Sequence, residues 1–487
     1  MRILFSHSYF MYFDPKQWEL EQPYPPLGTI FAASFLREAG HEVFLFDTMF
    51  EQDERGLPAQ LDKYRPDVFV IYDDGFNYLT KMCLTNMREA AFRMQEIAKQ
   101  KGCTVIVSSS DSTDHFEKYL DHGADAVIKG EAEITLLEII SLPAEKKNDF
   151  SSIAGIAFRQ NGQTVQTPKR QVMKDLDALP LPAWDLVDIK PYRERWMRSS
   201  GELALNMATT RGCPYKCNWC AKPIYGNRYN SRSPENVIQE LKLLREKFQV
   251  SKIWFSDDIF GLKPGWVNHF ADLVEKEQIS FRYKIQSRAD LLIQENYVAD
   301  LARSGCETVW LGAESGSQRI LDAMDKGTTV EQIYEAVRLL KKHGIRTALF
   351  LQFGYLGETI EDIHKTIGML NDLLPDDIGV SVSYPLPGTK FYEMVKHDLE
   401  EKSNWSDSDD LHLMFRNTYS PDFYRQLHRF VHKNYRKHQA YESIGIFLKK
   451  PSRISRTHLR RALSTLYYIP ASFFEKRKLK QIEHAWN

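Results

Sequence analysis

Long apolar runs are what this sequence most lacks. No stretch of its 487 residues approaches the ~18 consecutive apolar positions of a membrane-spanning helix. The opening Met1-Arg2-Ile3-Leu4-Phe5-Ser6 is too short an apolar run for a secretory leader, so the expected compartment is the cytoplasm. Cysteine is scarce as well: six residues in a chain this long are no disulfide framework. An excess charge is also missing. With 64 Lys and Arg against 65 Asp and Glu, the net charge of -1 exerts no overall pull on nucleic acid or anionic membrane. No RNA- or DNA-binding module is readable, so no nucleic-acid partner is expected. One local excess stands out: Lys449 to Lys480 carries ten Lys or Arg against one acid, Glu475.

What is present is an ordinary globular composition, 43% apolar and 26% charged, long enough for two or three domains. Residues 1–145 alternate apolar strands (2–5, 42–46, 67–72, 103–107, 126–128) with helical patterns, one of which stops at Gly40. Continuous apolar strands separated by helices predict a parallel sheet covered on both faces, a doubly wound Rossmann-like domain. Residues 146–200 read as a linker with a β-hairpin at Asn161-Gly162 and an extended Leu179-Pro180-Leu181-Pro182 stretch. Six further βα units between 201 and 400 predict a partial (β/α)6 barrel, whose active groups belong at the carboxyl ends of the strands. Residues 401–487 read as a helical, basic and aromatic C-terminal region.

Three of the six cysteines fall within eight residues. Cys213, Cys217 and Cys220 form C-x3-C-x2-C directly after the first barrel strand. Three thiolates on one loop can hold three irons of a 4Fe–4S cube and leave the fourth iron open. The rival readings are zinc, which wants a fourth protein ligand that is not nearby, and a chance cluster of small buried residues. Cys83, Cys103 and Cys306 are scattered; Cys306 reads as a small buried hydrophobe, an extra redox ligand being its alternative.

The spacing of this motif, with Trp219 before its last cysteine, resembles the radical S-adenosylmethionine (SAM) signature, and the resemblance runs across roughly 204–395. It implies a 4Fe–4S cluster on the three cysteines and reductive cleavage of SAM to a 5′-deoxyadenosyl radical. By the same resemblance, SAM contacts fall at successive strand ends: Trp219, Ser256, Asp257, Asp258, Ser287, Arg288, Glu314, Ser315, Gln352 and Gly354. It also implies an electron donor such as flavodoxin or ferredoxin.

Residues 1–145 lack the G-x-G-x-x-G fingerprint of nucleotide-binding Rossmann domains. They resemble instead the cobalamin-binding domain preceding the barrel in one large radical SAM subfamily, with Ser108, Ser109, Ser110, Gly130 and Glu131 as cobalamin contacts. The D-x-H-x-x-G motif that supplies a lower cobalt ligand elsewhere is absent, and His7 reads as a loop histidine. The domain pair implies cobalamin-dependent methylation of an unactivated carbon in a small metabolite, lipid or natural-product intermediate. A cobalamin-associated cyclisation, rearrangement or oxygen insertion, and a non-catalytic sensor, are the alternatives. His428 and His432, four apart on a helix, read as part of a solvated basic face. The tail from Leu459 to Lys480 reads as a cap on the barrel with its charges outside, peripheral membrane contact being the second reading; Pro470 is expected to interrupt any long helix there.

Overall fold

The computed structural model describes residues 1–76, 84–143, 149–222, 224–402, 404–449 and 456–486, so Cys83 lies outside the described residues. Two sheets organise the chain. The first has seven strands in the order β2-β1-β3-β4-β5-β6-β7. Its parallel part is β1 (Arg2–Ser6), β2 (Glu42–Phe46), β3 (Val68–Tyr72), β4 (Thr104–Ser108) and β5 (Ala126–Ile128). Strands such as β3, buried at every position, sit between helical layers and need no polar face. The strand order reverses between β1 and β3, the switch point at which open α/β sheets form their ligand crevice.

The hairpin expected at Asn161-Gly162 is present, with both turn residues at positive φ (51° and 78°). It is more than a linker, because β6 (Ile156–Gln160) pairs antiparallel with β5 and β7 (Gln163–Gln166) completes the edge.

The second sheet follows the sequence pattern strand by strand, in the order β15-β14-β13-β12-β11-β8. Its members are β8 (Ala204–Met207), β11 (Lys252–Phe255), β12 (Arg282–Ser287), β13 (Cys306–Glu314), β14 (Arg346–Phe353) and β15 (Asp377–Val382), all parallel. Between β8 and β11 lies a small antiparallel pair that the sequence did not announce, β9 (Thr210–Arg211) with β10 (Asn230–Ser231). Helix boundaries have local causes. Pro234–Phe248 starts on a Ser233 cap with proline at its first position, and Val330–Lys342 starts on a Thr329–Gln332 capping box.

No β15–β8 pairing closes this sheet. The first region covers its β8 edge instead. Pro25 carbonyl accepts from Asn206 Nδ2 at 3.1 Å, Pro23 carbonyl accepts from Trp196 Nε1 at 2.7 Å, and the Tyr24 ring lies 4.8 Å from that of Trp254. The largest core cluster therefore mixes Leu27, Ile30, Phe31 and Phe76 with Leu205, Ile253, Val309 and Leu349.

At the C-terminus the helix Pro421–Lys449 packs over β15 through Tyr435, whose hydroxyl donates to Pro375 carbonyl at 2.8 Å. His428 and His432 stand with ring centroids 4.5 Å apart, and burial holds both well below the ordinary histidine pKa, to about 4 and about 3. That corrects the solvated-face reading. Pro470 lies inside the helix Thr465–Trp486 and does not break it. The donor it lacks would have met the Leu466 carbonyl, and Leu466 is so exposed (84%) that water can take that role.

Candidate active site

β8 delivers the chain to a bend that Asp257 fastens. Its carboxylate accepts from the backbone of Thr209 and Thr210 at 2.7 and 2.8 Å and from the Thr209 hydroxyl at 2.6 Å. Burial pushes Asp257 up to about 6 against those donors. After β9 comes Gly212 at φ 81°, where a Cβ would lie 2.2 Å from Arg228 carbonyl, so no other residue fits this crossing. The three cysteines follow on the loop between β9 and β10.

Cys213 is buried; Cys217 and Cys220 are partly exposed. Burial raises the Cys213 thiol, and burial followed by the charge of Asp258 pushes Cys220 up to about 12. Each of these thiols feels the charge of its neighbours on the loop, which marks them as close in space. The Arg288 guanidinium stacks 3.6 Å above Tyr215, reaches Cys217 Sγ at 4.0 Å and donates to Lys326 carbonyl at 2.9 Å. Asn218 locks the loop from the other side, donating from Nδ2 to Ala323 carbonyl (2.6 Å) and to the Tyr355 hydroxyl (2.8 Å).

Among the described residues no three His, Cys, Asp or Glu side chains converge as ligands of a single metal ion. A 4Fe–4S cube makes no such demand, since each thiolate takes a different iron around a bulky core. A soft three-thiol donor set on a tethered loop, with a guanidinium at one sulfur, fits that cube better than it fits zinc. The indole Nε1 of Trp219 is buried without a protein acceptor, so a donor points into this neighbourhood.

The strand-end residues fall into two groups. Asp258, Arg288, Trp219 and Glu314 border the cysteine loop or the barrel mouth with polar chemistry to offer. Glu314 is a non-glycine residue at φ 58°, and its buried carboxylate accepts from Lys326 Nζ at 2.7 Å. Gly354, at φ 75°, donates to Glu358 at 2.7 Å and accepts from Asn417 at 2.8 Å. The rest have internal work. Asp257 holds the bend, Ser256 donates to Met207 carbonyl, and Ser315 sits against Thr366 at 3.1 Å. Gln352 donates to Ser383 at 2.9 Å, and Ser287 is buried. Asp257, Ser256 and Ser315, expected at SAM, thus also have protein partners that fix their place at the strand ends.

The strand ends of the first sheet are similarly occupied. Ser109 caps the helix Ser110–Asp114 in a reciprocal box with Ser112. Ser108 offers its carbonyl to Asp73 N at 2.9 Å, while the Asp73 carboxylate takes Ser8 N and Oγ at 2.7 and 2.9 Å. His7 is buried against Asp47 (2.9 Å), which also accepts from Tyr192 (2.7 Å), so its imidazole is tied down. Gly130, at φ 101°, brings the loop after β5 within 3.5 Å of Ile224 carbonyl, measured from a built Cβ.

Glu131 too has protein partners. Arg211 donates to Glu131 at 2.5 Å and to Glu133 at 2.6 Å, with all three side chains buried. Glu131 also accepts from Met173 N. Burial opposes the Arg211 charge, but Glu133 and Glu131 outweigh it and hold its pKa well above the ordinary arginine value. Glu131, expected as a cobalamin contact, is part of an anchor reaching from the first sheet to a residue two positions before Cys213. Sequence reasoning missed Arg211, Glu133, Lys326 and Asn218. Their partners lie 78, 12 and 137 residues away, and only the Glu-x-Glu spacing at 131–133 carried any signal.

Residues 207–370 match the Radical SAM superfamily. A curated protein called an uncharacterized methyltransferase, from Pyrococcus horikoshii, is 28% identical over 388 residues, 78% of this chain and 81% of its own length. The anaerobic magnesium-protoporphyrin IX monomethyl ester cyclase of Synechocystis is 26% identical over 374 residues, 76% of this chain and 72% of its own. Among solved structures, the cobalamin-dependent SAM radical enzyme OxsB with aqua-cobalamin bound superposes with a TM-score of 0.75 at 16% identity, covering 98% of this chain and 72% of that one. The radical SAM methyltransferase TsrM from Kitasatospora setae, with cobalamin and a 4Fe–4S cluster bound, gives 0.67 at 19% identity, covering 81% and 78%. A radical SAM domain thus occupies residues 207–370, and the chain is built on the fold of these two solved structures.

Proposed function

We propose that this radical SAM enzyme transfers a methyl group from cobalamin to an unactivated carbon of a small metabolite, lipid or natural-product intermediate. The observation that carries the reading is the buried Arg211–Glu131/Glu133 anchor. It fixes the crevice-bearing sheet to the cysteine loop, as an enzyme working two cofactors on one substrate requires. Fold kinship with OxsB and TsrM and a methyltransferase relative point the same way.

Cys213, Cys217 and Cys220 would hold a 4Fe–4S cluster, and Ser108, Ser110 and Gly130 would line a cobalamin over the ends of β4 and β5. When bound, the cluster with SAM supplies a hydrogen-abstracting radical and cobalamin supplies the methyl group. The chain's own residues keep that chemistry in register. Arg288 lies beside Cys217, its guanidinium within 4.0 Å of the sulfur, and holds that side of the loop against Tyr215 and the Lys326 carbonyl. Glu314, presented by its left-handed backbone and paired with Lys326, offers a carboxylate and an ammonium to a zwitterionic ligand. With His7 tied to Asp47, no free imidazole in the loop after β1 would stand under cobalt.

The test is anaerobic turnover of reconstituted enzyme with labelled SAM. Methyl transfer releases S-adenosylhomocysteine and 5′-deoxyadenosine, about one of each per product. The cyclase relative supplies the second reading, and 5′-deoxyadenosine without S-adenosylhomocysteine would favour it.

A further inference from the structure

Fourteen large hydrophobic side chains are exposed among the described residues, and seven of them fall between Leu459 and Phe474. They are Leu459, Leu463, Leu466, Tyr467, Ile469, Phe473 and Phe474, with exposures from 41% to 84%. Leu459, Leu463, Leu466 and Phe473 recur at spacings of four, three and seven, so they lie along one stripe of the two consecutive helices Arg456–Leu463 and Thr465–Trp486. The opposite face is used up in packing. Ser472 and Leu479 are buried, and Glu475 accepts from Gln426 of the helix Pro421–Lys449 at 2.6 Å. Exposed cations bracket the stripe: Arg460 at one end, Lys476, Arg477, Lys478 and Lys480 at the other.

We infer that this stripe rests on the surface of an anionic phospholipid bilayer. Charge complementarity selects that occupant. A second copy of the chain would bring the same cations face to face across a two-fold axis and be repelled. A bilayer accepts apolar side chains into its upper acyl region while its phosphates meet the flanking Lys and Arg. Tyr467 suits the headgroup level, having an apolar ring and a polar tip. Contact is flat, because no helix among the described residues is long and apolar enough to cross a membrane. The helix carrying these two packs over β15, the strand bordering the open side of the incomplete barrel, so the bilayer would lie beside that opening. This goes beyond the proposed reaction and holds for any substrate.

The test pellets full-length, cofactor-loaded protein with vesicles of phosphatidylcholine alone or mixed with phosphatidylglycerol. The parent should partition onto the mixed vesicles, less so as salt rises. Lys476→Gln/Arg477→Gln/Lys478→Gln should lose about a hundredfold in partitioning, roughly fivefold per charge. Phe473→Ser/Phe474→Ser should lose at least about tenfold. Both variants touch only exposed positions and should keep iron content and SAM cleavage in solution. Failure of the parent to pellet, or equal pelleting with phosphatidylcholine alone, overturns the inference. A concentration-dependent dimer that the serine variant dissolves also overturns it, by placing a second copy on the stripe.

Discussion

The cysteine loop and the strand ends of the first sheet are built on opposite plans. On the loop, the groups that would do chemistry are left for a ligand and their supports come from elsewhere: Asp257 behind the bend, Gly212 at the crossing, Asn218 and Arg288 on the flanks. At the first sheet's strand ends the polar side chains are largely spent on each other. Ser8 is with Asp73, His7 with Asp47, Ser109 with Ser112, and Asp111 takes Arg88 at 2.5 and 2.6 Å. A reactive centre needs unspent ligands, whereas a platform that cradles a preformed cofactor needs shape and rigidity. Substitutions should therefore abolish function on the loop and mostly tune it on the platform.

The sharpest way to break that contrast is at the thiols. Replacing Cys213, Cys217 or Cys220 by Ala should remove bound iron and all 5′-deoxyadenosine formation, whereas Cys306→Ala, at a site buried at the start of β13, should keep about four irons per chain. Iron retained after the Cys217 change would return the loop to the status of scaffold.

Next comes the anchor joining the two plans. Arg211→Met strands two buried carboxylates and should cost about 3–5 kcal/mol, read as a lower midpoint in thermal or denaturant unfolding. Arg211→Met with Glu131→Gln and Glu133→Gln should recover much of the loss. If Arg211→Met alone were silent, the two regions would not be coupled there.

A smaller effect tests support on the barrel side. Burial pushes the Glu358 carboxyl up to about 8 from its ordinary 4.5, against one donor, Gly354 N. The folded state thus favours the neutral acid. Its contribution is complete below the unfolded value and drains as pH rises through about 8. Glu358→Gln should match the parent's Tm near pH 4.5 and exceed it increasingly toward pH 8, and a constant offset across that range would discard the assignment.

The smallest expected effect is at the platform. His7→Ala should leave the absorption spectrum of bound cobalamin unmoved, because the imidazole belongs to Asp47. A spectral shift would make His7 a cobalt ligand and erase the distinction drawn above.

The parallel strands of both sheets were legible, since β3 is a continuous apolar run and the helices between them carry recognisable caps. The addition of β6 and β7 to the first sheet and the β9–β10 pair were not. The cysteine triad was legible because its three members share one short loop. Which polar residues would be consumed was not. Serines 108–110 look alike in sequence, yet one of them caps a helix, and Glu131 looks like a loop acid until Arg211 arrives from 80 residues away. Such pairings are set by how the two sheets meet, and no local pattern records that. At the C-terminus the mix of aromatic and basic residues was legible, with peripheral membrane contact as its second reading, but which side chains would stay exposed was not.

The wall that Pro23, Tyr24 and Pro25 contribute at the β8 edge has a consequence for biosynthesis. These residues are made roughly 180 positions before the strand they cover, so a translating ribosome releases the cover well ahead of the barrel. The N-terminal half can then serve as a template on which β8 lands as it emerges. The reverse order, a barrel without its cover, would leave Asn206, Trp196 and Trp254 without those partners in a large apolar cluster. Expressing the C-terminal half alone should therefore yield aggregate, while supplying the N-terminal half in trans before or during its synthesis should raise the soluble fraction.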